Sequence, residues 1–193
     1  MTPPVSDPAA FTSELMPVIE AADVAAVLLR LADADERTLI NRVKNVAAAV
    51  QDRGVALIID GWPDIVARGG ADGAHLNGIE AFSAALQTLK PDRIVGVGGL
   101  DTRHDAMVAA ESGADYILFG SAGDAANLER VGWCAEVLEL PCVAFARNEA
   151  EIAPLVEAGA DFIALDYIWR EPRQAAETLA AAARHMRLPE TAS

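Results

Sequence analysis

Seven short apolar runs in the chain end on, or just before, residues able to bind or transfer charge, and chemistry would sit at those run ends. The closing residues are Arg30, Asp60, the segment from His75 to Glu80, Gly98 with Gly99, Gly120 with Ser121, Arg147 with Asn148, and Asp166. Asp60 ends "ALIID" and Glu80 follows "AHLNGI", which places carboxylates at successive run ends. Paired oxygens there suit a hard cation such as Mg2+, which can bridge a protein to a phosphorylated ligand. The same acids fit equally well as solvated residues at helix starts, stabilised by the helix dipole. Arg30 and Arg147 offer guanidinium groups, which match phosphate oxygens two at a time. His75 stands between Ala74 and Leu76, a setting for a hydrogen-bonded core imidazole as well as for a base or ligand. "GVGGLDT" (96–102) is a Gly-rich run end before a helix start, where a phosphate or ring can approach the backbone; tight turns call for the same glycines.

These residues can act together only if their runs lie side by side. The runs are "VAAVLL" (24–29), "VALIID" (55–60), "GAHL" (73–76), "RIVGV" (93–97), "YILFG" (116–120), "CVAFA" (142–146) and "FIALD" (162–166). They are continuous rather than alternating, as parallel strands covered on both faces should be. Helical spacing marks the segments between them: 36–53, 63–68, 79–89, 103–112, 127–140, 149–158 and 172–186, with another over 7–20 before the first run. Gly-Ala-Asp recurs at Gly70, Gly113 and Gly159, each time where a helical segment gives way to an apolar run. A glycine that ends a helix and feeds a buried strand has this look. The pattern predicts a TIM (β/α)8 barrel with strand 1 missing or abbreviated at the N-terminus, and working groups at the C-terminal strand ends. Even spacing, and no Gly-rich nucleotide turn after an early strand, argue against a doubly wound open sheet.

With 193 residues, 52% of them hydrophobic and 23% charged, the chain has material for one core, so a single domain over 1–193 is expected, its tail loose after about 188. A formal charge of −14 excludes nucleic acid and an anionic membrane surface as partners. An anionic ligand must then be held by local devices: a metal ion, helix N-termini or a single Arg. "MTPPVSDPAAF" has neither a basic nor an apolar leader region, and no run nears the ~18 apolar residues of a membrane span, so a cytoplasmic protein is expected. Cys134 and Cys142, inside apolar segments, read as buried reduced thiols. A homodimer is the assembly to expect if the chain associates.

Taken together, the strand ends resemble those of the thiamine phosphate synthase family, sister to the thiazole tautomerases, over about residues 24–170. "VLLRLAD" resembles the Gln-x-Arg-x-Lys of the family's second strand. "LIIDGWPDIVARGGADGAHLNGIEA" resembles its Ile-Asn-Asp and Ala-Asp-Gly-Val-His-Leu-Gly-Gln-Glu-Asp passage. "RIVGVGG" resembles its Gly-Val-Ser strand, "GADYILFG" its Gly-Ala-Asp-Tyr strand, and "GADFIALD" its last strand. The resemblance implies a (β/α)8 barrel that joins a hydroxymethylpyrimidine diphosphate to a thiazole phosphate, yielding thiamine phosphate and diphosphate with Mg2+ assistance. Carried over by position, Arg30 meets the diphosphate, Asp60 binds the metal, and Glu80 stands for the second metal-binding Asp. Arg30, Asp60 and Arg147 then form the catalytic set, with His75, Gly98, Gly99 and Asn148 also binding substrate. The chain departs from the family at Ile59 (Asn), Ala32 (Lys), Gly98 (Ser), at "SAGDAAN" (121–127), which lacks a Thr-Lys pair, and at Ala146-Arg147 (Gly-Gly). Only Lys44 and Lys90 exist in the chain; Arg147 then either supplies the substitute cation from another strand or fills the empty phosphate site and closes it. Three functions are open: a divergent enzyme of this family, a non-catalytic barrel derived from it that binds a small ligand, or an interaction protein for which the barrel is only a scaffold.

Overall fold

In a computed structural model, which describes residues 1–121 and 126–186, the apolar runs form seven strands. They are β1 (Ala26–Leu29), β2 (Ala56–Asp60), β3 (Gly73–Asn77), β4 (Ile94–Gly98), β5 (Tyr116–Phe119), β6 (Cys142–Ala146) and β7 (Phe162–Leu165). All neighbours pair in parallel and in chain order, so every connection must cross back over the sheet, and helices do this. The helices are α1 (Pro8–Glu20), α2 (Glu36–Gln51), α3 (Val66–Gly69), α4 (Ile79–Leu89), α5 (Arg103–Glu111), α6 (Asn127–Val137), α7 (Ile152–Glu157) and α8 (Ala175–Arg184). Their starts are written locally. Asp7 accepts from the N–H groups of Ala9 and Ala10 ahead of Pro8, Asp35 accepts from Thr38, and Thr102 accepts from Asp105. Three segments expected as plain helix open instead with a 3-10 turn, at Pro63–Ile65, Glu149–Glu151 and Pro172–Gln174. The tail after 188 lies outside the described residues.

The Gly-Ala-Asp triplets do more than end helices. Gly70, Gly113 and Gly159 adopt φ of 76°, 94° and 101°, values that a side chain would strain. The following N–H groups of Ala71, Ala114 and Ala160 reach back to carbonyls of the last helical turn, at 3.1 Å in each case. Each Asp then grips one residue of the preceding strand twice. The N–H of Asp72, Asp115 and Asp161 donates to the carbonyl of Leu57, Val95 and Cys142, each at 2.9 Å. Their carboxylates accept the N–H of those same residues at 2.7, 2.6 and 2.8 Å. The clamp sets the offset between β2 and β3, β4 and β5, and β6 and β7 before any side chain is packed.

The sheet is curled, since one short segment reaches both of its edges. Met1 donates to the Leu165 carbonyl of β7, while Thr2 donates to the Leu28 carbonyl of β1. Val5 exchanges bonds with Arg30 and Ala32 and forms an isolated parallel bridge to Leu31. Residues 1–5 therefore occupy the gap between β1 and β7 at the C-terminal end of the strands, and strand 1 cannot be described as missing there. At the opposite end Ala26 and Phe162 remain exposed, Phe162 by 44%. The core lies between sheet and helices, where Leu39, Val43, Val46 and Val50 bury one face of α2 completely. Each such side chain contributes about 1.5–3 kcal/mol by leaving water. Cys134 and Cys142 are free and buried against one another, and the Cys142 thiol is pushed up by its hydrogen bond with Cys134 and by burial.

If the clamp carries register energy, Asp161→Ala should lower the unfolding free energy in urea by about 1–2 kcal/mol, because the buried Cys142 N–H loses its acceptor. Asp161→Asn, whose amide oxygen can still accept, should lose less. Equal losses in the two variants would contradict this role.

Candidate functional site

Register decides which residues share a level of the sheet. Asp60 pairs with His75, His75 with Gly96, and Gly96 with Tyr116. Because Leu29 pairs with Ile59, Arg30 comes level with Asp60 one residue on. One row across the strands thus reads Arg30, Asp60, His75, Gly96, Tyr116, and residues at one level of a parallel sheet point to the same face. Arg30, Asp60 and His75 line a cavity of about 340 Å3 at the C-terminal ends of the strands, a size suited to a small ligand.

Arg30 is held between two carboxylates, with Nε 3.4 Å from Asp60 and Nη1 3.6 Å from Asp166. All three side chains are about one-third exposed, so each ion pair is worth at most about 1 kcal/mol. The guanidinium is oriented, yet it can exchange a carboxylate for a phosphate oxygen.

His75 is buried, and its Nδ1 lies 3.0 Å from the Tyr116 hydroxyl, the two rings stacking with centroids 5.6 Å apart and planes at 10°. Gly96 makes this possible: a Cβ there would sit 1.9 Å from the Tyr116 ring. Burial lowers the His75 pKa to about 4, with Asp60 opposing the shift and Arg30 adding to it, so the imidazole is neutral near pH 7. Burial, then the charges of Asp60 and Asp115, raises Tyr116.

A second hollow of about 200 Å3 adjoins the first and shares Leu100, Asp101, Phe119 and Arg130 with it. It runs over Arg103, which pairs with Glu129 at 2.8 Å and lies 5.4 Å from the Trp133 ring centre. Arg130 reaches the shared wall because of how α6 begins. Asn127 donates to the Phe145 carbonyl at 2.8 Å, tying the first turn to β6, and Gly120 leaves space for the Asn127 amide. The site is a divided cavity with guanidinium groups on its walls.

Of the residues expected at the site, Arg30, Asp60, His75, Gly98 and Gly99 come together around the larger cavity. Arg147, Asn148 and Glu80 do not line it. Arg147 is exposed and drawn outward by Glu151 one helical turn on, its Nε 2.7 Å from the carboxylate; that bond holds the Glu151 carboxyl below its usual range. Asn148 caps the following 3-10 turn by accepting from Ala150 at 3.0 Å. Glu80 is exposed in the first turn of α4, the helix-start alternative for such an acid. The glycines of "GVGG" serve neighbouring side chains: a Cβ on Gly98 would lie 2.9 Å from His75 Nε2, and one on Gly99 would overlap Asn77. Asn77, Gly120 and Ser121, which fall at the expected run ends, line the cavity too, whereas Asp101 and Arg130 line it without having been anticipated. Looking in the first turn of the helix that follows each run end would have found Arg130. Loop residues 122–125, within "SAGDAAN", lie outside the described residues.

Among the described residues no group of three His, Cys, Asp or Glu is arranged around a metal position. Mg2+ does not require one, since it takes one or two carboxylates and completes its shell with phosphate oxygens and water. Asp60 and Asp101, both facing the cavity, fit that donor chemistry. Among the described residues no helix is long and apolar enough to cross a membrane.

Comparison with known proteins gives concordant results. The family model for thiamine monophosphate synthase matches residues 2–166. The thiamine-phosphate synthase of Rhodospirillum centenum is 40% identical, over 97% of this chain and 96% of that protein. The thiamine-phosphate synthase of Hyphomonas neptunium is 36% identical, over 86% and 81%. Among solved structures, thiamine phosphate pyrophosphorylase from Pyrococcus furiosus superposes with a TM-score of 0.78 at 20% identity, covering 91% of this chain and 88% of that one, a likeness of fold.

Keeping His75 neutral has a pH signature. Its folded pKa of about 4 lies below the ordinary 6.5, so the unfolded chain binds the proton more readily in that window. The stability is complete above about pH 6.5 and drains as pH falls toward about 4, by at most about 1.4 kcal/mol per pH unit. Urea unfolding of wild type and His75→Gln should show their difference shifting against wild type across that window. A pH-independent difference would contradict the assignment.

Proposed function

The chain belongs to the thiamine monophosphate synthase family, and from that premise we propose that it joins hydroxymethylpyrimidine diphosphate to thiazole phosphate, forming thiamine phosphate and releasing diphosphate. The observation that carries the reading is the divided cavity, in which Arg30 faces the larger part and Arg130 the wall common to both. Two phosphorylated substrates that must meet need adjoining compartments, each with a cation. On this reading the barrel is the family's (β/α)8 barrel with residues 1–5 standing in for its first strand. The same reading gives a cytoplasmic enzyme.

The reaction breaks the bond between the pyrimidine methylene carbon and the diphosphate oxygen. The diphosphate leaves with the electron pair, and the thiazole nitrogen supplies the pair for the new carbon–nitrogen bond. Negative charge gathers on the departing group, so its stabilisation is the main catalytic task. Arg30 turns from Asp60 and Asp166 to the diphosphate. Asp60, with Asp101 as the second carboxylate, would hold Mg2+, which when bound supplies charge neutralisation on the same oxygens. His75, Gly98 and Gly99 bound the pyrimidine compartment.

The divergence from the family lies in the second cation. Neither lysine serves: Lys90 pairs with Asp115 beside the N-terminal end of β5, and Lys44 is exposed on α2. Arg130 takes the part, and a guanidinium's planar fork can hold two phosphate oxygens in fixed geometry, where an ammonium acts as a point charge with rotatable donors. Nothing in the cavity favours the non-catalytic alternative.

Purified chain given both substrates and Mg2+ should form thiamine phosphate. Arg130→Ala should lower kcat/KM about 100- to 1000-fold, the range for losing one charge-stabilising donor. Arg147→Ala should stay within about twofold, as expected of an exposed ion pair. The reading is overturned by absence of product at every Mg2+ concentration; the reverse ranking of the two variants would move the second cation to Arg147.

A further inference from the structure

The bond between His75 and Tyr116 lies below the cavity, and the reaction as written does not use it. The Tyr116 hydroxyl, 3.0 Å from His75 Nδ1, has no second hydrogen-bond partner among the described residues. Tyr116 is half-buried, and its hydroxyl carries one proton, for which Nδ1 is the acceptor that the described residues offer. Nδ1 can serve as that acceptor only while it is unprotonated. A neutral imidazole has a single N–H, which must then sit on Nε2. The opposite arrangement, with Nδ1 donating to the phenol oxygen, would leave the hydroxyl proton without an acceptor among the described residues.

Packing leaves little freedom to choose otherwise. The rings stack at 10°, and the Tyr116 ring fills the place of the absent Gly96 Cβ, so it is wedged across β4 toward β3. Gly98 leaves room beside Nε2, and His75 lines the cavity. Nε2 makes no hydrogen bond to any described residue, so its proton is available to whatever the cavity holds. The charged groups beside the ring are Asp60 and Arg30; the hydroxyl donating to Nδ1 is itself what requires that nitrogen to be unprotonated.

We propose that Tyr116 is a positioning residue that fixes His75 as the Nε2–H tautomer, giving the cavity a neutral, pre-aimed N–H donor for an acceptor atom of the diphosphate-bearing substrate. The substrate's identity rests on the function proposed above; the tautomer rests on the geometry alone. A neutral donor suits this position. It can bind an oxygen or ring nitrogen without forming an ion pair with Asp60, which stays free for its own role.

The test is a long-range 1H–15N correlation spectrum of the 15N-labelled full chain at pH 7, with His75→Gln identifying the His75 signals among the three histidines. The expected spectrum has His75 as one neutral tautomer with its proton on Nε2. Tyr116→Phe should convert it to an averaged or reversed tautomer and lower kcat/KM about tenfold, the effect of one lost hydrogen bond. A wild-type proton on Nδ1, or averaging between the nitrogens, overturns the proposal. So does an unchanged tautomer in Tyr116→Phe. Should that variant fail to fold, the wild-type spectrum still decides. A proton on Nε2 in a chain that makes no thiamine phosphate would support this inference while sinking the proposed reaction.

Discussion

The structure depends on a register, which three aspartates pin at alternate strand pairs. Asp72, Asp115 and Asp161 each hold one residue of the preceding strand by both its N–H and its carbonyl. In a parallel sheet a slip of one residue would turn every side chain to the opposite face. The row from Arg30 through Asp60 and His75 to Tyr116 exists only because strands from separate parts of the chain start at fixed offsets. The clamps lie at the N-terminal ends of the strands and the chemistry at the C-terminal ends, the usual division of labour in such folds. Stability and catalysis can therefore vary separately along the same strands.

Much of this was legible in the sequence because it is local. Continuous apolar runs mark buried parallel strands, helical spacing marks the segments between them, and the strand-end rule picks out Arg30, Asp60, His75, Gly98 and Gly99. What escaped is non-local. The first five residues, with two adjacent prolines, have no strand pattern; they pair with β1 and β7 because the curled sheet leaves a gap of their size. Gly96 and Gly98 read as a backbone opening for a ligand, but their missing side chains make room for Tyr116 and His75, neighbours that only the register reveals. Arg147 stands at a strand end yet turns away, since Glu151 at the fourth position beyond it offers a nearer partner. Arg130 enters the site from a helix that Asn127 anchors to a neighbouring strand.

An anion-binding site in a chain of net charge −14 cannot rely on a broad positive field. It has to be built from a few placed groups. Arg30 is kept in position by Asp60 and Asp166 at contacts weak enough to surrender, while Arg130 marks the boundary between the two hollows.

The central claim is that one divided cavity seats both halves of the reaction, with Arg30 and Asp60 at one end and Arg130 at the partition. A crystal structure of the chain with thiamine phosphate, diphosphate and Mg2+ tests it most directly. The account predicts diphosphate against Arg30 and Asp60, and the thiamine phosphate group within reach of Arg130. Ligands seated instead at Arg147 and Glu80, with the cavity between Arg30 and Arg130 left to solvent, would contradict it.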